Sequence, residues 1–386
     1  MTIQLLVTDD ALAIQGDPLT GWTNLDAPRR FNEPAAGAVT LPARSEVMDQ
    51  LRPGNRLVVI RDGHIWTAGP MEVPTDYEWT ADDGDPGTGT VTVNFVDDLA
   101  TIAGHITYPT PGSAWSAQLG STYRSFTAVS AETIIRTLVN ENCGPGALLA
   151  RRIPSLVLDT AAGVATTTSV KTRFEPVLDV CRAAASNGGG LGFRTRQVGS
   201  QIKFGVYEPR DLTATARFSI GLGNLRSIGF RQSAPTVTHA LVAGTETSGS
   251  TTRTFVETAN AGAASSWWRV EKYVDGNAAN DTSGELTVLG TSELAESSAP
   301  VELATVTVDT PDLQAGRDYD LGDQVTIALP HGLQVTDIVR SIHLQATPDG
   351  GETVASVVGS QDATTDPQTV RMIRTLGRRL GRLETR

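Results

Sequence analysis

Apolar and polar positions along this chain alternate mostly with a period of two, over short stretches separated by turn residues, and that spacing predicts strands. Residues Arg56 to Ile60 (RLVVI) and Ile65 to Ala68 flank Arg61-Asp62-Gly63, and an Asp-Gly pair accepts the positive φ angles of a tight hairpin. Val91 to Phe95 alternates in the same way, and Asp97 or Asp98 is placed to cap a short helix ending at Ala103. From residue 211 onward strands are predicted over 215–220, 226–232, 236–244, 252–258, 267–274, 301–308, 323–328, 333–344 and 352–358, with one short helix over Ser292 to Ser297.

The stretch between residues 106 and 210 has a different rhythm. Ile134, Ile135, Leu138 and Val139 recur at helical spacing behind Ser130, a good N-cap, and Gly144-Pro145 ends the run. A second helix is expected from about Phe174, with Pro176 in its first turn, to Asn187-Gly188. Leu191 to Arg196 and Gln201 to Tyr207 then form a hairpin across Gly199-Ser200. Helices and strands together make this an α+β module.

One pattern occurs twice. Leu51 to Gly69 reads LRPGNRLVVIRDGHIWTAG, and Tyr319 to Ile338 reads YDLGDQVTIALPHGLQVTDI. Each has a corner at Gly-Asn or Gly-Asp (Gly54-Asn55, Gly322-Asp323), then an apolar strand, then a turn around Gly63 or Gly332. Two copies of one β-barrel domain, near each end of the chain, would produce this echo; a common β-protein corner occurring twice would too.

Composition narrows the function. The chain has 386 residues, enough for two to four domains, and 31 Lys plus Arg against 43 Asp plus Glu give a net charge of −12. That balance argues against a surface made to grip nucleic acid. Cys143 and Cys181 are too few for a disulfide framework or a four-ligand zinc site and read as buried thiols. The amino terminus lacks the basic region of a signal peptide, and no apolar run is long enough to span a membrane, so a soluble product made in the cytoplasm is expected.

No catalytic signature emerges. The histidines at 64, 105, 239, 331 and 343 lack metal-ligand spacing, and Gly221-Leu222-Gly223 meets Arg226 where a dinucleotide loop needs glycine. Asp82, Asp83 and Asp85 lie in a polar loop without EF-hand spacing. Glu175 and Asp179 are four apart on the expected second helix, with nothing converging on them. Trp267-Trp268, read as part of a strand, would place one ring in the core and one outside. No enzyme activity, metal or cofactor is expected.

The carboxyl-terminal segment Val370–Arg386 stands apart. Ile373, Leu376, Leu380 and Leu383 form two heptads of a seam, expected to bind a partner. Six arginines against Glu384 give the segment +5, leaving −17 on the rest of the chain. Two heptads do not hold a helix in water unaided.

Three stretches resemble the tail hub proteins of long-tailed phages that infect actinobacteria: Phe31 through Leu41 to Gly69, Phe174 to Phe218, and the strand pair after Gly322-Asp323. The most specific part is Leu191-Gly192-Phe193, followed by Val206-Tyr207-Glu208-Pro209-Arg210-Asp211-Leu212-Thr213 and Phe218-Ser219. That family is similar to the baseplate hub of contractile-tailed phages. The resemblance implies a mainly β (α+β) chain with two related β-barrel tube domains, at 1–105 and at 211–240 with 301–362. An α+β module at 106–210 and an insertion domain at 241–300 would lie between them, and a linker and basic helix at 363–386 would follow. It further implies a homotrimeric ring at the virion's tail tip, joining a hexameric tail tube or distal tail protein to a tip, spike or fibre protein. DNA or tape-measure protein would pass through the ring, and the C-terminal seam would dock on the distal partner. The alternatives are the hub of an injection system or gene-transfer particle and, in a different class, a carbohydrate-binding β protein using Trp267-Trp268.

Overall fold

A computed structural model describes residues 2–359 except 73–75, 79–88, 119, 233, 247–251, 277, 279, 283, 298–300, 330, 331 and 349. The acidic loop at Asp82, Asp83 and Asp85, and the seam residues Ile373, Leu376, Leu380 and Leu383, lie outside the described residues.

The first hundred residues form β1 (Ile3–Thr8), β2 (Asn24–Arg30), β3 (Ala36–Pro42), α1 (Ser45–Met48), β4 (Arg56–Arg61), β5 (His64–Pro70), β6 (Asp76–Glu78), β7 (Thr90–Val96) and α2 (Leu99–Ala103). The β4–β5 hairpin turns at Asp62 and Gly63, with φ of 49° and 80°, the double positive that its sequence predicts. Alternation in β7 buries Val91, Val93 and Phe95. Asp97 starts α2 by accepting the Leu99 N–H at 3.1 Å.

The middle of the chain forms β8 (Arg124–Ser130), α3 (Ala131–Asn142), β9 (Leu156–Leu158), β10 (Thr167–Thr172), α4 (Val177–Asn187), β11 (Gly192–Val198) and β12 (Gln201–Tyr207). Ser130 caps α3 by accepting the Thr133 N–H at 3.4 Å. The two helices pack on each other around Ile134, Leu138, Val177 and both buried cysteines, a core separate from that of the large sheet. Burial pushes the Cys143 thiol up to about 12 and Cys181 higher still. The second helix starts later than its sequence suggests. Phe174 has a φ of 59°, Pro176 is the extended N-cap, and Glu175 between them is kept out of the helical region by the proline that follows it. Glu175 therefore lies off the helix, where it accepts from the Thr172 hydroxyl at 2.5 Å, and it shares no helix face with Asp179.

The remainder forms β13 (Arg217–Ser219), β14 (Leu225–Gln232), β15 (His239–Ala243), β16 (Phe255–Ala259), α5 (Ala261–Ser266), β17 (Glu271–Asp275), α6 (Glu285–Glu296), β18 (Val301–Val308), β19 (Gln324–Ala328), β20 (Gln334–Thr347) and β21 (Gly351–Val358). Strands β15, β16 and β17 make a small separate sheet under α6. Two expectations fail here. Trp267 and Trp268 follow α5 and precede β17, so strand alternation does not apply and both rings are exposed, edge to face at 5.9 Å. Helix α6 is longer than expected, with Asp281 accepting the Leu286 and Thr287 N–H groups at its start. Gly290, a poor helix former, hides this helix in the sequence, yet a Cβ there would come within 2.3 Å of the Thr258 hydroxyl.

The chain is mainly β. Ten strands join in one sheet whose main path runs β14-β18-β21-β20-β2-β3-β7-β6, with β13 and β19 branching from β20. The two ends of the chain use the same order of pairings. In the first, β2 pairs β3, β3 pairs β7, β4 pairs β5, and the chain after β5 returns along β7. In the second, β14 pairs β18, β18 pairs β21, β19 pairs β20, and β20 returns along β21. The echoed corners match as well: Gly54 and Gly322 have φ of 89° and 85°. No closed barrel is formed among the described residues. Instead the halves merge edge to edge and share one core, in which Leu25, Val59 and Phe95 lie in the same cluster as Phe218, Tyr319 and Leu344.

Close packing half-buries one acid in a way that shifts its titration. Any Cβ on Gly69 would come within 2.1 Å of the Val96 carbonyl, so β5 lies against the chain leaving β7 and covers Asp97. Burial, countered in part by the Ala35 N–H and reinforced by neighbouring Asp98, raises the Asp97 carboxyl to about 7. The folded chain therefore favours neutral Asp97, a stabilisation complete below its unfolded value of 3.8 and lost as pH rises to about 7. Asp97→Asn should remove this component. Urea unfolding between pH 4 and 7 should show the wild-type stability falling more steeply than the variant's, by up to about 1.4 kcal/mol per pH unit; parallel profiles would count against it.

Candidate functional site

The feature that organises the molecule is the joint between the two repeated halves, where β2 lies antiparallel to β20 from Leu25↔Ala346 to Arg30↔Ser341. The Phe31 N–H donates to the Arg340 carbonyl at 2.8 Å, which sets the register. In an antiparallel ladder every second residue bonds to the same neighbour, so residues 25, 27, 29 and 31 face β20 with their backbone groups. Pro28, which has no N–H, falls on an even position, turned toward β3. There the β2–β3 pairing has already ended at Asp26↔Ala38. A proline in this strand is tolerated for that reason.

Side chains clamp the joint. Arg29, at the end of β2, donates to Asp320 Oδ1 at 2.8 Å, and Arg194, from β11, donates to Asp320 Oδ2 at the same distance. One carboxylate thus ties the first half, the second half and the α+β module together. Burial opposes its charge, but Arg29 and Arg194 prevail and hold Asp320 below the usual carboxylate range. The Trp66 ring lies beneath both Arg29 and Arg61, at 4.9 and 5.3 Å from its centroid, and its Nε1 donates to the Ala27 carbonyl at 2.8 Å. Arg61 in turn reaches Glu352 of β21 at 2.6 Å.

Three further contacts fix the module. Asn32, at a φ of 56°, accepts from the Phe193 N–H and donates to the Leu191 carbonyl at 2.7 and 2.8 Å. Buried Arg56 donates to both oxygens of Asp98 at 2.7 and 2.6 Å and reaches Gln197 of β11 at 3.0 Å. Asp323, beside Gly322, takes the Arg210 backbone N–H at 2.8 Å and its guanidinium at 2.5 Å. Leu191, Phe193, Arg210, Gly322 and Asp323, all in the stretches that carry the sequence resemblance, therefore meet around the joint. Arg29, Asn32, Arg56 and Asp320 escape sequence reasoning; only Arg56, a charge at the head of the apolar run LVVI, left a signal.

A cleft of about 690 Å³ opens at this joint, between Trp66, Arg61, Arg194 and Asp320. Its arginines are engaged by carboxylates, Arg29, Arg61 and Arg194 as just described and Arg30, Arg196 and Arg317 by Glu33, Asp159 and Asp318, so the cleft is a seam between units with its guanidiniums already paired. Among the described residues, no group of three or more His, Cys, Asp or Glu side chains is placed to hold a metal ion.

The family model described as Siphovirus ReqiPepy6 Gp37-like protein matches residues 3–360. No curated protein matches the chain. Among solved structures, it is similar to the 43 kDa tail protein of prophage MuSo2 from Shewanella oneidensis, at 14% identity and a TM-score of 0.57 over 93% of this chain and 99% of that one. The tail protein from Neisseria meningitidis MC58 is similar at 11% identity and 0.57, covering 94% and 98%. Prophage tail protein gp18 from Listeria monocytogenes EGD-e follows at 10% and 0.52, covering 96% and 99%. At these identities the shared property is the fold, over the full length of each chain.

Asp320→Asn should leave Arg29 and Arg194 without their counter-charge and destabilise the chain by about 1–2 kcal/mol, between the scales of an exposed and a fully buried ion pair, since the carboxylate is part-exposed. Denaturant unfolding checks this, and a loss below about 0.5 kcal/mol, typical of an exposed site, would show that the clamp is not needed.

Proposed function

The chain belongs to the Siphovirus ReqiPepy6 Gp37-like protein family, a siphovirus tail protein family, and on that premise we propose that it is the structural hub of the tail tip. In this reading the two halves are related β-barrel tube domains, three chains form a ring of six, and the ring continues a hexameric tail tube toward a tip or fibre protein. The role is assembly and passage, without catalysis.

The observation that carries this reading is the joint itself. Strand β2 of the first half pairs β20 of the second. The repeated order of pairings makes β14 the counterpart of β2, and the chain from Met71 through β6 the counterpart of the outer part of β20. These counterparts stand at the two ends of the main path of the ten-stranded sheet. One chain thus makes the joint once internally and offers half of a second joint at each end. Contacts of this head-to-tail kind close into rings when the rotation permits, and a duplicated unit lets a threefold ring match a sixfold tube.

Charge fits the passage. The −17 outside the C-terminal segment favours a lumen from which DNA is repelled as it moves, since like charges keep the polyanion off the wall. The module at 106–210 and the insertion at 241–300 would then face outward.

Size-exclusion chromatography with light scattering should give a mass three times the 40.8 kDa of one chain, alone or with the tail tube protein. A chain that stays monomeric or dimeric in the presence of its tube protein would sink the hub reading.

A further inference from the structure

Among the described residues, the small sheet of the insertion has one covered and one open face. Val242 of β15 and Thr258 of β16 face α6, where Gly290 packs on both, and Lys272 of β17 pairs with Glu293 of α6 at 2.7 Å. Side chains on a strand alternate, so Leu241, Phe255 and Tyr273 lie on the opposite face. Register places Leu241 beside Tyr273 and next to Glu257, with Phe255 one row away opposite Ala243. Leu241, Phe255 and Tyr273 are 41%, 55% and 50% exposed, and Trp268, just before β17, is 56% exposed. Charged groups border the apolar row: Arg269 bridges Glu257 and Glu271, and Arg253 holds Asp275. An aromatic and aliphatic strip of this kind normally has a partner.

Three observations point to the occupant. Strand β21 runs antiparallel to β18 and ends with Val358 opposite Thr305, heading toward Val301, where the insertion rejoins the large sheet. The chain therefore leaves the fold toward the insertion. Residues 360–369 then supply a tether of up to about 35 Å when extended. Next, residues 239–297 carry a net charge of −5, and Val370–Arg386 carries +5. Last, the seam of Ile373, Leu376, Leu380 and Leu383 makes an apolar stripe too short to persist as a helix alone, as the open face lacks a cover.

We propose that residues 370–386 dock as a basic amphipathic helix on the open face of the β16-β15-β17 sheet of the same chain, the seam against Leu241, Phe255 and Tyr273. On such a helix Arg379 and Arg386 lie beside the seam and the other arginines point away from the sheet, so the positive charge acts as a general attraction toward the acidic insertion. The C-terminal segment is thereby a built-in cover of the insertion, and its first partner is this sheet instead of a distal tail protein. The proposal is independent of ring formation, because both surfaces belong to one chain.

Cross-linking in the full-length chain tests this. Cys143 and Cys181 are buried, with their thiols pushed up by burial, and should react slowly under mild oxidation. Cysteines introduced as Tyr273→Cys with Leu380→Cys should close a disulfide within one chain about tenfold or more faster than a control pair, Leu149→Cys with Leu380→Cys, because docking raises the effective concentration above that of a free tether. Leu149 is 83% exposed on the α+β module, so it is at least as open to attack as position 273. Closure should slow in about 0.5 M salt, which screens the charge attraction. Adding Leu241→Glu at its exposed position should bring the rate down to that of the control. Equal rates for the two pairs, cross-links only between chains, or no effect of Leu241→Glu would each overturn the proposal. So would closure that depends on an added tip protein or glycan.

Discussion

A backbone ladder of six residue pairs between β2 and β20 is the constraint on which the rest of the structure depends. It joins strands from opposite ends of the chain, converts two small sheets into one large one, and lets a single core run through both. Backbone bonds supply the register but little net energy. The joint is therefore backed by groups that favour this one arrangement: Asp320 between Arg29 and Arg194, and Trp66 beneath Arg29 and Arg61. Arg29, Arg194 and Asp320 come from three different parts of the chain, so the Asp320 clamp is complete only when both halves and the α+β module have come together.

Local physics was legible. The Asp62-Gly63 hairpin, the Ser130 cap, the β11–β12 hairpin and the strand over 301–308 follow from residue types and spacing, and the structure has all four. The Gly54 and Gly322 corners were legible too, as one motif used twice, and their shared positive φ shows a common backbone demand rather than a chance match of letters.

What escaped the sequence depended on distance or on a neighbour. Strand β2 reads NLDAPRR, a poor strand by propensity, and it is a strand because β20, more than three hundred residues away, pairs with it. Helix α6 escaped because Gly290, which weakens an isolated helix, is what allows this one to approach β16. The tryptophan pair misled because alternation holds only inside a strand, and both residues precede one. Asp97 looked like an ordinary helix starter, and only the approach of Gly69 reveals it as a half-buried acid with a raised carboxyl.

The parity of the ladder has a consequence for how such a chain can vary. Adding or removing one residue within β2 or β20 would turn every later side chain in that strand to the wrong face and move Pro28 to a position that must donate. A change of two would keep the faces but slide one half past the other by about 7 Å. Length variation in this molecule is therefore confined to loops and to the insertion, while these two strands behave as a ruler whose divisions cannot be altered one at a time.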